Sequence, residues 1–273
     1  MDFTQATASG LNRLGGLSSK PRIVEQYYGI QRFTPKQLQA CTAMMIFFDI
    51  DQTLIDQQKA EAAAARELLA VYHDSLGQNY SVVGFCRAWD FLRDKHARAF
   101  FAGIITSREQ RRMRVRELFG RIGWELSDGE ADDCFALYER HYRRHWSLFD
   151  DVLPCLQGLS HHPIGIISNG SAEQQKRKLA QTGIAAFFAV TVVSQEVGAA
   201  KPHPDIFRAA CRIAGCPAEQ SVYVGDRLHV DALASQAAGM RGVWLDRRRT
   251  QRPATVQVVS SLTELCAELR SSS

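Results

Sequence analysis

Three observations predict an α/β protein with a doubly wound parallel sheet, interrupted by an all-helical insert. Short apolar runs recur along the chain with helical stretches between them, the spacing of βαβ units. Residues 57–160 carry helical periodicity and no strand signal. The 273 residues, 45% hydrophobic and 23% charged, suffice for one to two domains at roughly 150 residues each.

Residues 1–43 mix Gly, Ser, Thr and Gln with scattered basic residues and hold no sustained period, so they read as a poorly ordered extension. Asp2 and Glu25 stand there against Arg13, Lys20, Arg22, Arg32 and Lys36. That balance also suits a targeting peptide, and a native start at Met44 or Met45 is a further reading. The first strand is expected over Ile46-Phe47-Phe48-Asp49-Ile50, apolar on both faces and delivering an acid at its carboxyl end. Helices follow at about 57–76, 84–101 and 130–146, with another from Ser107 to Gly120 that starts at a capping box formed by Ser107 and Gln110. Strands return at Pro163–Ile167, Phe188–Val193, Ser221–Val224, Gly242–Leu245 and Val256–Val259, and the last helix is capped near Ser260 or Ser261. The predicted units are an extension over 1–43, a core of 44–56 and 161–273, and a helical insert of 57–160.

The formal charge of +4, from 33 basic and 29 acidic residues, is too balanced to argue for a nucleic-acid partner. Seven cysteines, none in a CxxC pair, argue against a disulfide framework and for a reducing cytoplasm. No apolar run approaches the roughly 18 residues of a membrane span.

In an open parallel sheet, ligands sit beyond the carboxyl ends of the strands. There the chain places Asp49 and Asp51 with Thr53, then Ser168-Asn169-Gly170, Lys201-Pro202, and Gly225-Asp226 with Asp231. Two carboxylates two residues apart at a strand end need a cation or a shared proton. With Asp226 they form an all-oxygen set, without His or Cys, of the kind that suits Mg²⁺. Ser168 and the N–H groups of the helix that follows can receive a phosphoryl oxygen, or simply cap that helix. Lys201, set in a proline-bounded loop, can offset a carboxylate and a bound phosphate.

These four motifs, in this order, resemble the haloacid dehalogenase-like hydrolase superfamily, and the resemblance covers about 44–270. It implies a Rossmann-like core with the helical insert as its cap, and most resembles the subgroup of nucleotide and sugar-phosphate phosphatases. By that resemblance Asp49 is the nucleophile that forms an aspartyl-phosphate, and Asp51 is the general acid and base. Ser168, Asn169 and Lys201 hold phosphoryl oxygens, with Thr53 grouped among the phosphate-binding residues and orienting its loop. Mg²⁺ is bound by the Asp49 carboxylate, the Asp51 carbonyl and Asp226, with Asp231 behind them. Gln52 departs from relatives that often have glycine or a small polar residue there. The expected activity is Mg²⁺-dependent hydrolysis of a small phosphorylated metabolite. The alternatives are a dehalogenase-type C–halogen hydrolase, which Asp51 disfavours because a halide needs no proton, and a non-catalytic binding protein on the same fold.

In the insert, Arg108, Arg111 and Arg112 fall within about 60° of the apolar stripe of their helix. Arg108 and Arg112 are therefore candidate contacts for an anionic substrate, the alternative being ion pairs with Glu130, Asp132, Asp133 or acids of the core. Trp89 and Trp146 suit cap packing or stacking on a substrate. Oligomeric state is left open.

Overall fold

The computed structural model describes residues 44–76, 79–101, 103–250 and 255–271, so the expectation for residues 1–43 lies outside the described residues. Each apolar run becomes a short strand: β1 Met45–Phe48, β2 Ile164–Ser168, β3 Val190–Val193, β4 Ser221–Gly225, β5 Arg241–Leu245 and β6 Gln257–Val259. They pair in parallel in the order β3-β2-β1-β4-β5-β6. Every carboxyl end therefore lies along one edge, and the order reverses between β1 and β4, where open α/β sheets take their ligands.

All four residues of β1 are buried because both faces of the sheet are covered. Ile46 and Phe48 pack on one side with Ile166, Val224 and Leu265, while Met45 and Phe47 pack on the other with Phe207 and Tyr223. The register sets Phe47 opposite Gly165, where a Cβ would stand 2.8 Å from the Phe47 ring, so only glycine lets these neighbours pack. β1 ends before Ile50 because the N–H groups of Leu54 and Ile55 both turn back onto the Ile50 carbonyl at 2.9 Å, closing a loop instead of extending the strand. β3 likewise starts at Val190, after a tight turn at Ala185–Phe187.

The helices are α1 Gln57–Val71, α2 His73–Leu76, α3 Val82–Phe101, α4 Ser107–Gly120, α5 Asp128–Arg144, α6 Val152–Gly158, α7 Ala172–Gln181, α8 Ser194–Val197, α9 Pro204–Ala214, α10 Leu233–Ala237 and α11 Leu262–Ser271. The single helix expected over 57–76 breaks at Tyr72, whose ring turns edge-on to Phe119 of α4 at 5.1 Å. The capping box of α4 is one residue earlier than expected. Thr106 is extended and accepts the Glu109 N–H at 3.2 Å, and the Glu109 carboxylate returns to the Thr106 N–H at 2.7 Å, which leaves Ser107 as the first helical residue. Ser127 and Glu130 cap α5 in the same way.

α1, α3, α4 and α5 bury a cluster of their own around Phe85, Trp89, Leu118, Phe119, Tyr138 and Trp146. The boundary placed at residue 160 moves toward the N-terminus. Val152, Cys155, Leu156 and Leu159 pack with the sheet and α11, not with the cluster of α1, α3, α4 and α5, because Asp151 holds this segment to Arg247 at 2.9 Å and to the Leu262 N–H at 2.9 Å. No described helix is long and apolar enough to cross a membrane.

Candidate active site

The carboxyl ends of β1, β2 and β4 bring Asp49, Ser168 and Asp226 together, with Lys201 arriving from the loop after α8. Asp49 is buried, and its N–H donates to the Val224 carbonyl at 2.9 Å. Lys201 is buried beside it, its Nζ 2.8 Å from Asp49 Oδ1. The same ammonium donates to Asp231 Oδ1 and to the Tyr223 hydroxyl, each at 2.7 Å. All three of its protons are thus committed inside the protein. Burial opposes its charge, yet Asp231 and Asp49 raise its pKa above the ordinary lysine value.

Asp231 is fully buried on a π-helical turn, Leu228–Ala232, that precedes α10. Its Oδ2 accepts the Arg227 N–H at 2.9 Å while Oδ1 accepts from Lys201. Gly225 makes this approach possible, since a Cβ there would stand 2.4 Å from the Asp231 Cγ. Tyr223, which the sequence reading did not single out, joins the network by placing its hydroxyl 2.9 Å from the Ile167 carbonyl. An aromatic in the middle of a buried strand reads as core, so only the fold reveals its hydroxyl.

Desolvation is the first cause of two raised carboxyls. Asp49 is pushed up to about 6 despite the opposing charge of Lys201, and Asp226 to about 8, with Asp49 and Asp231 adding repulsion. Asp226 has no ion pair among the described residues, and the Trp244 indole N–H anchors its carbonyl at 2.9 Å. Oxygens of Asp49, Asp226 and Asp231 lie within 4.8 Å of one another. Since Asp231 has committed both oxygens, Asp49 and Asp226 are the acids left with open directions. This all-oxygen set, with Asp49 and Asp231 buried, Asp226 half-buried and three acids against one lysine, fits a hard divalent ion such as Mg²⁺.

The Asp51 side chain turns away from that cluster, toward α7. Its Oδ1 accepts from Lys178 Nζ and its Oδ2 from Gln175 Nε2 at 3.0 Å. The Asp51 carboxylate therefore does not join the metal cluster, and its expected share in metal binding rests on its backbone carbonyl. The sequence reading missed Gln175 and Lys178, because a polar helix face reads as solvated surface until the fold turns it inward. Gln52, directly after Asp51, stands at φ 62°, the left-handed region that favours glycine. Its side chain accepts the Gln58 N–H at 2.9 Å, at the start of α1.

Ser168 is buried, its Oγ 3.2 Å from Gln175 Nε2. The Asn169 side chain clasps the Lys201 backbone, donating to its carbonyl at 2.9 Å and accepting its N–H at 2.8 Å, so the second motif positions the third. Ser194 Oγ and Gln195 Oε1 take the N–H groups of Gly170 and Ala172, both at 2.9 Å, and so occupy part of the N-terminus of α7. Thr53 is buried with no partner for its Oγ1 among the described residues, and its carbonyl is tied to Arg247 at 2.9 Å.

The cap arginines face α5. Arg112 is bidentate on Asp132 at 2.8 and 2.7 Å and also reaches Asp128, while Arg108 stands 3.2 Å from Asp132. Of these partners, Asp132 is one that the sequence sets against substrate contact, and Asp128 is not. The buried arginine is Arg114, its guanidinium 3.9 Å from the Trp89 ring centroid and 5.0 Å from that of Tyr138. It lies off the apolar stripe, but α4 packs against both α3 and α5, which widens its buried sector.

The family profile for haloacid dehalogenase-like hydrolases matches residues 43–239. A glyceraldehyde 3-phosphate phosphatase from Methanopyrus kandleri is 40% identical over 209 residues, covering 76% of this chain and 85% of its own. The magnesium-bound crystal structure of the putative HAD-hydrolase YfnB from Bacillus subtilis superimposes with a TM-score of 0.68 at 26% identity, covering 83% of this chain and 98% of that one. A 2-haloacid dehalogenase from Pseudomonas syringae pv. Tomato DC3000 follows with a TM-score of 0.60 at 26% identity, covering 85% of this chain and 100% of its own.

Proposed function

The chain belongs to the haloacid dehalogenase-like hydrolases, and from that premise we propose that it is a Mg²⁺-dependent phosphomonoesterase acting on a small phosphorylated metabolite, a nucleotide or sugar phosphate. The observation that carries this reading is the divergence of its two leading acids: Asp49 lies against Lys201 and the acid cluster, while Asp51 is held apart by α7. A nucleophile and a proton donor separated in this way suit a leaving alkoxide, which needs a proton, whereas a halide does not.

Asp49 attacks phosphorus, and its new O–P bond forms as the bond to the leaving oxygen breaks. Asp51 delivers its proton to that oxygen, then takes one from the water that hydrolyses the aspartyl-phosphate. Ser168, Asn169 and Lys201 surround the phosphoryl oxygens, and Lys201 exchanges one of its internal contacts to reach them. Asp49, Asp226 and the Asp51 carbonyl would hold Mg²⁺, which supplies charge neutralisation for the transferred group when bound. Asp231 keeps Lys201 in place behind them.

The likeness to a 2-haloacid dehalogenase keeps C–halogen hydrolysis as a second reading. Assays of the purified protein with 4-nitrophenyl phosphate and with 2-chloropropionate, each with Mg²⁺ and with EDTA, separate the two. Mg²⁺-dependent phosphate release that Asp49→Asn abolishes is the expected outcome. Metal-independent chloride release without phosphatase activity would overturn the phosphatase reading.

A further inference from the structure

Gln175 and Lys178 lie three residues apart on α7, so both side chains reach from one face of the helix toward Asp51. Lys178 is one of the most buried side chains in the molecule, with 2% of its side chain exposed, and its Nζ donates to Asp51 Oδ1. Gln175 is equally buried and donates to Asp51 Oδ2 at 3.0 Å while reaching Ser168 Oγ at 3.2 Å and the Asn169 carbonyl at 2.9 Å. Both oxygens of one carboxylate are therefore held by one helix, and the same amide is tied to the loop after β2. The cap completes the enclosure. The rings of Tyr142, at the end of α5, and Trp146 stand 5.6 and 5.7 Å from the Lys178 ammonium, which suits cation–π contact.

Burying an ammonium carries a desolvation cost that its partners must offset, here the Asp51 carboxylate and two aromatic rings. We propose that Lys178, assisted by Gln175, is a positioning residue that aims the Asp51 carboxyl at the leaving oxygen, and that the Tyr142 and Trp146 rings make this aim depend on the cap being docked. The proposal rests on the reading of Asp51 as the proton donor. Each carboxyl oxygen keeps a second lone-pair direction, so Oδ2 can carry the transferred proton while Oδ1 stays on Lys178. In the step it serves, the proton passes from Asp51 Oδ2 to the leaving oxygen as the O–P bond breaks. The electron pair of that bond stays with the leaving group, and no further reactant is required.

Leaving-group dependence is the test, because a misaimed donor harms a basic leaving group far more than an acidic one. Values of kcat/KM, which report phosphoryl transfer rather than the later hydrolysis, are measured for phenyl phosphate and 4-nitrophenyl phosphate with the full chain and Mg²⁺. Lys178→Met is expected to lose about 100-fold on phenyl phosphate and less than about tenfold on 4-nitrophenyl phosphate, within the range that general acid catalysis contributes. Lys178→Arg should recover most of the loss, and Trp146→Leu should reproduce the same selective pattern more weakly. The inhibition constant of inorganic phosphate should stay within about twofold, since a positioning residue does not bind the phosphoryl group. Equal losses on both esters would overturn the proposal, as would phosphate inhibition weakened about tenfold or more, which would make Lys178 a phosphate ligand. If Lys178→Met is too unstable to assay, Gln175→Leu carries the same comparison. A wild-type protein that hydrolyses neither ester would overturn the phosphatase reading itself, and this proposal with it.

Discussion

The edge of the sheet and the interior of the cap both bury charge, and they do so in opposite ways. At the sheet edge, acids outnumber cations: Asp49 and Asp231 share Lys201, Asp226 beside them has no ion pair among the described residues, and desolvation raises both Asp49 and Asp226. In the cap, Arg114 lies between Trp89 and Tyr138, and Nε and Nη2 of its guanidinium have no hydrogen-bond partner among the described residues. Glu61, also buried, is served by Arg93 and Gln57. The first arrangement leaves a place for a cation to fill, whereas the second covers a cation with aromatic faces. Excess charge that is open to a ligand marks a site, and excess charge enclosed by rings marks packing.

The largest expected effect breaks the sheet edge alone. Asp49→Asn should lower phosphatase kcat by on the order of 10⁴-fold or more while leaving the fold intact, with circular dichroism checking the second half of the statement. The corresponding strike at the cap is Trp89→Ala, which should cost about 3–5 kcal/mol in denaturant unfolding, since the ring is fully buried. Molecules that remain folded should keep their rate on 4-nitrophenyl phosphate, and a collapse in that rate at unchanged stability would erase the distinction between the two regions.

Metal binding sharpens the contrast through its pH dependence. Asp226 holds a proton up to about 8 in the metal-free protein, and that proton competes with the cation. Mg²⁺ affinity by calorimetry should therefore rise with pH, about tenfold per unit between pH 6 and pH 8, and level off above pH 8. A flat profile between pH 6 and pH 8 would mean that Asp226 is not a ligand. The smallest effect is expected at the rim of the cap. Arg112→Ala should leave the ratio of kcat/KM between two phosphate esters within about twofold, because Arg112 is spent on Asp128 and Asp132 in a half-buried network. A tenfold change in that ratio would bring Arg112 into substrate contact.

The sheet and the core motifs were legible because both leave local marks. Buried parallel strands must be apolar on both faces, and the polar residues that interrupt them at their carboxyl ends stand out against that background. Asp49, Ser168 and Asp226 stand out in this way, and Lys201 by its proline-bounded loop. Tyr223 and Lys178 do not, since a strand tyrosine resembles core and a lysine on a helix otherwise rich in Gln, Lys and Arg resembles surface. Helix boundaries were softer for a related reason. Thr106 and Ser107 are both competent caps, and the backbone selects the one whose extended conformation lets Glu109 close the box. The sequence placed the end of the insert at residue 160, whereas Asp151 ties Val152–Leu159 to the sheet across a long separation in the chain.

By itself the sequence determined the parallel α/β core, the helical insert after the first strand, and the order of the acids, amide and lysine along the carboxyl edge, because each depends on periodicity or on residue type at a strand end. The tertiary structure alone decided which polar side chains face inward. Asp51 looks toward α7 rather than toward Asp226, Lys178 is enclosed beneath the cap aromatics, and Arg114 is buried while Arg108 is exposed. Those outcomes depend on how two elements distant in sequence share one surface, and no local pattern carries that information.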